Sequence, residues 1–277
     1  MRSLVVWILA VLAACGSAPA CPVVPRPASA PPFLWKVQKA DGPVVWLYGT
    51  IHNAGEADVP PAAWAALESS PHFLSELGDT EPDRETTVEL AKLPRGKGLD
   101  QQLPSDDWYD LRDALDGVIK EDDLKRARPW YAMARLTETI APSPSPTMDF
   151  ALARRARGRG MTVEPLERWE DQLRALADSV GVADLQQAIH ARKTMRCELA
   201  QLKAVYATGD LAAMQKLLVI PATEKLLVDR NRAWLPALEA QLAQGGAFVA
   251  VGLGHLAGEH GLPALLEAAG YTVTRAR

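Results

Sequence analysis

The sequence predicts an α+β fold, a mixed α/β arrangement in which a central mixed sheet is flanked by helices and carries a helical insert. Three observations lead there. Short apolar, β-prone runs alternate with longer helical ones. Two segments, 44–77 and 248–273, share the order apolar strand, Gly-x-x-His, helix, strand. Between them, over roughly 80–140 and 170–240, apolar residues recur at the three- and four-residue spacing of amphipathic helices. Composition agrees: 277 residues with 48% hydrophobic and 23% charged are ample for a buried core and exclude disorder. A net charge of −4 gives no basic footprint for nucleic acid. Three cysteines are too few for a disulfide scaffold.

The chain opens on Arg2 and an unbroken apolar run over residues 4–14. That run is too short to span a bilayer, which takes about 20 residues as a helix. A basic start, a short apolar stretch and small residues read as a secretory signal. The run ends in Leu12-Ala13-Ala14-Cys15, which resembles the lipobox of bacterial lipoproteins. The resemblance implies cleavage before Cys15, a lipid on its thiol, and a location in the bacterial cell envelope, at the periplasmic face or the outer membrane. The alternative is a plain signal peptide cut near Ala18-Pro19-Ala20. The expected division is therefore a leader at 1–14, a Pro/Ala-rich tether at 15–32 and one domain at 33–277. An oxidising compartment would permit Cys21 and Cys197 to pair, but sequence does not say whether their geometry allows it.

Within the domain, residues 33–38 and 44–47 are β-prone runs separated by Asp41-Gly42-Pro43, a strand–turn–strand signal. The second leads into Tyr48-Gly49-Thr50-Ile51-His52. Pro60-Pro61 opens an alanine-rich helix, Ser69-Ser70-Pro71 closes it, and residues 72–77 read as a strand containing Glu76. Trp108, Leu111, Leu115 and Ile119 mark a helix of the insert. The Pro-rich run at 141–146 cannot be helix interior. Thr147 is placed to cap the helix that follows, and Asp149 is read as a second capping group in preference to one facing the centre. Residues 161–166 form a short strand, further helices run to 218, and 224–242 is one more. Residues 247–251 are wholly apolar and lead into Gly252-Leu253-Gly254-His255; a last helix and a last strand follow.

Five histidines are present. His190 lies mid-helix and reads as a satisfied polar residue, His260 as loop surface and His72 as structural. His52 and His255 differ: each ends an apolar strand three residues after a glycine that lets backbone or ligand approach closely. Glu76 lies among apolar neighbours, where a carboxylate is costly unless it is paired or metal-bound. Two imidazoles and a carboxylate suit either a divalent metal or a general acid/base cluster. Arg230 and Asn231 read equally as a solvated helix face or as a clamp for a carboxylate or oxyanion.

The order of these motifs resembles the TraB/GumN family, which is related to the Tiki metalloproteases. Trp35, the Tyr48 to His52 block and Glu76 match its opening. Met148-Asp149-Phe150 and the stretch from Val163 to Gln172 match its middle. Arg230-Asn231-Arg232-Ala233-Trp234 and the block from Val251 to Gly258 match its close. The resemblance implies a Tiki-like fold and a metallopeptidase-like hydrolase. His52 and His255 would be metal ligands or catalytic groups, and Glu76 a ligand or the base that activates water. Manganese or cobalt would be the metal, with zinc a further candidate, and the substrate a peptide or protein of the envelope. The competing expectation is a non-catalytic envelope protein that binds metal, haem or peptide on the same fold.

Overall fold

The computed structural model describes residues 21, 24–25, 27, 29–78, 82–218 and 224–277. The expected leader and Cys15 lie outside the described residues.

Six strands form one open sheet: β1 (Leu34–Gln38), β2 (Val45–Thr50), β3 (Phe73–Ser75), β4 (Val163–Pro165), β5 (Ala247–Gly252) and β6 (Thr272–Arg275). Their order is β4-β3-β5-β2-β1-β6. β2, β3, β4 and β5 are mutually parallel, and β1 runs antiparallel to both β2 and β6. The sheet is thus mixed, as the sequence predicts. β5 is central, with Ala247 to Val251 fully buried, because a parallel strand covered on both faces needs a continuous apolar run.

Twelve α-helices are present among the described residues. α1 (Pro61–Ser69) links β2 to β3. α2 (Arg84–Ala91), α3 (Ser105–Ala114), α4 (Glu121–Lys125) and α5 (Pro129–Ile140) follow. α6 (Met148–Gly158) leads to β4. Next come α7 (Trp169–Ser179), α8 (Val182–Ala191), α9 (Met195–Tyr206) and α10 (Leu211–Leu217). α11 (Asp229–Gln244) leads to β5, and α12 (Leu262–Ala268) joins β5 to β6. Right-handed crossovers dictate which face each covers. The β2–α1–β3 and β3–α6–β4 connections move one way across the sheet. The β4–α11–β5 and β5–α12–β6 connections move the other way, so their helices lie on the opposite face. The packing agrees: α1 contacts α6, and α11 contacts α12.

The helical insert has a core of its own, in which Leu99, Trp108, Leu111, Leu115, Leu124 and Leu136 pack with Leu185 and Ile189. Residues 229–242 do not belong to it, whereas Leu226 just before them packs with Ala91, Trp130 and Leu173 of the insert. α11 buries Asn231, Trp234, Leu238 and Leu242, a stripe at spacings of three and four, and packs on β2. Cys21 is disulfide-bonded to Cys197 of α9, so the expected tether is fastened to the insert within its length. Its C-terminal end is fastened too: Arg275 donates to the carbonyls of Pro31 and Pro32.

Candidate functional site

From β3 the chain leaves toward β4, and from the adjacent β5 it leaves toward β6. Where neighbouring parallel strands send their connections in opposite directions, a crevice opens beyond their carboxyl ends. Glu76 and His255 meet in that crevice. The sequence reading put Glu76 inside a strand, but β3 ends at Ser75, so Glu76 stands on the rim. One of its oxygens, Oε1, accepts the Gly252 N–H at 2.7 Å. The other, Oε2, accepts Arg230 Nη2 at 2.7 Å and Gln172 Nε2 at 3.2 Å. Burial works to raise the Glu76 pKa, but nearby His255, Arg230 and the Gly252 N–H outweigh it and hold the pKa down at about 2. Glu76 is an anion at neutral pH.

His255 sits in a 3-10 turn, Leu253–Leu256, with its side chain 4% exposed. Asn231 donates both Nδ2 protons to carbonyls, those of His255 and His260. Its Oδ1 is therefore the acceptor facing His255 Nδ1 at 2.7 Å, and Nδ1 carries the proton. In the neutral ring this leaves the Nε2 lone pair free, 3.9 Å from Glu76 Oε1. Burial lowers the His255 pKa to about 4, against the pull of Glu76, so the neutral ring prevails at pH 7. Trp234 packs against it with ring centroids 4.4 Å apart and the planes tilted by 36°.

Arg230 is gripped on all sides. Glu167 takes its Nε at 3.1 and 3.0 Å and also its Nη2. The Leu226 carbonyl takes Nη1 at 3.0 Å, and the guanidinium lies 4.9 Å over the Trp234 ring. Burial raises the Glu167 pKa against the pull of Arg230. The sequence reading assigned no role to Glu167 or Gln172. One local signal existed: Glu167 follows the short strand β4 much as Glu76 follows the neighbouring β3.

His52 is placed differently from His255. It follows β2 in an exposed turn, 86% open to solvent, with Nδ1 4.0 Å from Asp149 Oδ2. It is still near enough to Glu76 and His255 to weigh on their ionisation. Asp149 does not cap its helix. Thr147 does so, accepting the Phe150 N–H, and Asp149 instead accepts Thr50 Oγ1 at 2.6 Å and faces His52. Desolvation raises its pKa. Elsewhere, His190 bonds Asp107 at 2.7 Å, His72 lies 3.9 Å from Glu164, and His260 is half exposed beside Glu259.

A divalent cation is consistent with the inner pair of residues. His255 offers a bare Nε2 whose ring is fixed by a hydrogen bond on the other nitrogen, the usual arrangement behind a metal-ligating histidine. Glu76 offers an anionic oxygen beside it, and the buried Glu76–Arg230–Glu167 group carries one negative charge more than positive. The third expected ligand, His52, is not in contact with the pair. Among the described residues no three of His, Cys, Asp and Glu are grouped to hold an ion.

The description "TraB/PrgY/gumN family" belongs to a family model that matches residues 33–275. Among curated proteins, the chain is 22% identical to a metalloprotease TIKI homolog of Amphimedon queenslandica, over 88% of this chain and 61% of that protein. It is 25% identical to metalloprotease TIKI2 of Danio rerio, over 87% of this chain and 60% of that protein. The chain thus spans about 60% of the length of these relatives. No solved structure matches it.

Proposed function

The chain belongs to the TraB/PrgY/gumN family, and from that membership and the crevice chemistry we propose that it is a divalent-metal-dependent hydrolase that cleaves peptide bonds. The observation that carries this reading is the inner pair: an imidazole with its Nε2 lone pair freed by Asn231, facing a carboxylate kept anionic. His255 and Glu76 would hold the ion, with His52 as the third donor. The ion would polarise the scissile carbonyl and lower the pKa of its water toward about 7.

The other roles belong to the chain. Glu76, anionic at working pH, accepts a proton or shares the cation. Arg230, with one face on Glu76, balances negative charge that builds in the crevice. Asp149, its pKa raised by burial, stands beside His52 and is the group from which a leaving amine collects its proton. The two TIKI relatives are named as metalloproteases, which supports peptides as the substrate class. We further propose export and attachment to the cell envelope through Cys15, on the strength of the lipobox-like Leu12 to Cys15. No helix among the described residues is long and apolar enough to cross a membrane.

The test is cleavage of a peptide library by purified protein with manganese, cobalt or zinc, before and after chelation. Chelator-sensitive cleavage that His255→Ala abolishes supports the reading. Metal binding without cleavage favours the binding protein, a reading helped by the full engagement of both Glu76 oxygens by donors. Palmitate labelling that survives Cys15→Ser would sink the anchor.

A further inference from the structure

Glu167 makes contacts that the hydrolase reading does not use. Its side chain is 9% exposed, and both oxygens bind one guanidinium. Its own N–H donates to the Glu76 carbonyl at 3.0 Å, so it is fastened to the residue it influences. Every nitrogen of Arg230 is engaged: Nε and Nη2 by Glu167, Nη1 by the Leu226 carbonyl, and Nη2 again by Glu76 Oε2. A planar guanidinium clamped at Nε and Nη2 has no freedom to choose where Nη2 points. The direction in which Arg230 approaches Glu76 is therefore set by Glu167. With Oε2 held by Arg230 and Gln172 and Oε1 by the Gly252 N–H, the carboxylate cannot rotate, and Oε1 is the oxygen presented to His255 Nε2.

We propose that Glu167 is a positioning residue, which grips Arg230 so that Arg230 pins one oxygen of Glu76 and leaves the other facing His255. The inference rests on the metal-centre reading for its consequence and on geometry alone for its content. The competing role is a buried ion pair that only neutralises Arg230. That role predicts lost stability with Glu76 unmoved in whatever protein still folds.

Two measurements on the full domain separate these. Crystal structures of the wild type and of Glu167→Gln are compared first. The expectation is that Arg230 swings off Glu76 and the 2.7 Å contact opens beyond hydrogen-bond range, leaving Oε2 to Gln172 alone. Should Glu167→Gln not fold, Glu167→Asp is read the same way, since its shorter arm draws Arg230 from Glu76. If the Glu76–Arg230 contact stays in place in the variant that folds, the proposal is overturned. The second measurement is manganese binding followed by electron paramagnetic resonance. About tenfold weaker binding in Glu167→Gln is expected, the order of effect seen when a group that orients a ligand is removed, and unchanged affinity counts against it. A wild type that binds no manganese defeats the metal centre, while the crystal structures still decide the role of Glu167.

Discussion

His255 shows how one neighbour fixes the chemistry of a side chain. Asn231 places the ring proton on Nδ1, and burial keeps the ring neutral with a pKa of about 4, where free histidine titrates at 6.5. Below pH 6.5 the unfolded chain takes up a proton that the folded chain refuses. The His255 contribution to stability therefore falls as the pH drops from about 6.5 to about 4, by about 3 kcal/mol, and is level above that window. Urea midpoints measured from pH 7 to pH 4 will show this fall in the wild type and a smaller one in His255→Gln. Glu76 acts lower: its folded pKa of about 2 lies below the ordinary 4.5, so its contribution is present at neutral pH and is lost only as the pH falls from 4.5 toward 2. Asn231→Ala strands the carbonyls of His255 and His260 and frees the ring. A loss of about 1–3 kcal/mol in urea unfolding is expected, with manganese affinity down at least tenfold. Equal manganese binding in wild type and variant would refute the orienting role. The sequence offered Asn231 only as half of an ambiguous helix face, because the partner that settles it lies 24 residues away.

At the scale of elements, the two Gly-x-x-His motifs have different reasons for their glycines. A Cβ at Gly49 would stand 2.6 Å from Leu253 Cδ1 and 3.3 Å from Leu253 Cα, so this glycine lets the turn carrying His255 pack against β2. A Cβ at Gly252 would stand 3.3 Å from Glu76 Oε1, so that glycine lets the carboxylate approach its N–H. Gly49→Ala should therefore cost stability, about 1–3 kcal/mol as overpacking does. Gly252→Ala should leave the unfolding midpoint close to wild type and weaken manganese binding. Denaturation and metal titration of both variants check this, and the reverse pattern would refute it. The strands, both motifs and the amphipathic helices were legible because periodicity is local. Sheet order was not: nothing in the run 247–251 says that β5 lies between β3 and β2. The exposed turn of His52 was hidden for the same reason, since the two motifs look alike in sequence and differ only in what folds over them. Two residues suited to capping stand at one helix start, and Thr147 takes the role while Asp149 turns to Thr50.

The whole molecule is held together across its layers by contacts distant in sequence. Cys21 and Cys197 are 176 residues apart, and α9, which carries Cys197, also reaches the site. The Leu199 carbonyl accepts Asn53 Nδ2 at 2.6 Å, beside His52, and Tyr206 donates to the Gly49 carbonyl at 2.7 Å. The segment entering the domain is thus fixed to the same helix that steadies the end of β2. In the tether expected over 15–32, Pro, Ala and Ser carry no packing signal, and the disulfide joins it to a helix that local patterns cannot connect to it. Closing so long a loop restricts the unfolded chain, and losing a native disulfide typically costs about 2–5 kcal/mol. For a chain of this size each kcal/mol moves the melting temperature by about 2–4 °C. Reduction with dithiothreitol, or Cys197→Ser, should therefore lower the melting temperature by about 5–10 °C in calorimetry. The reduced wild type should melt with the variant, because both lack the same constraint. A melting temperature insensitive to reductant, in protein whose free-thiol count shows that the bond was broken, would mean that the cross-link does not hold the segment to α9.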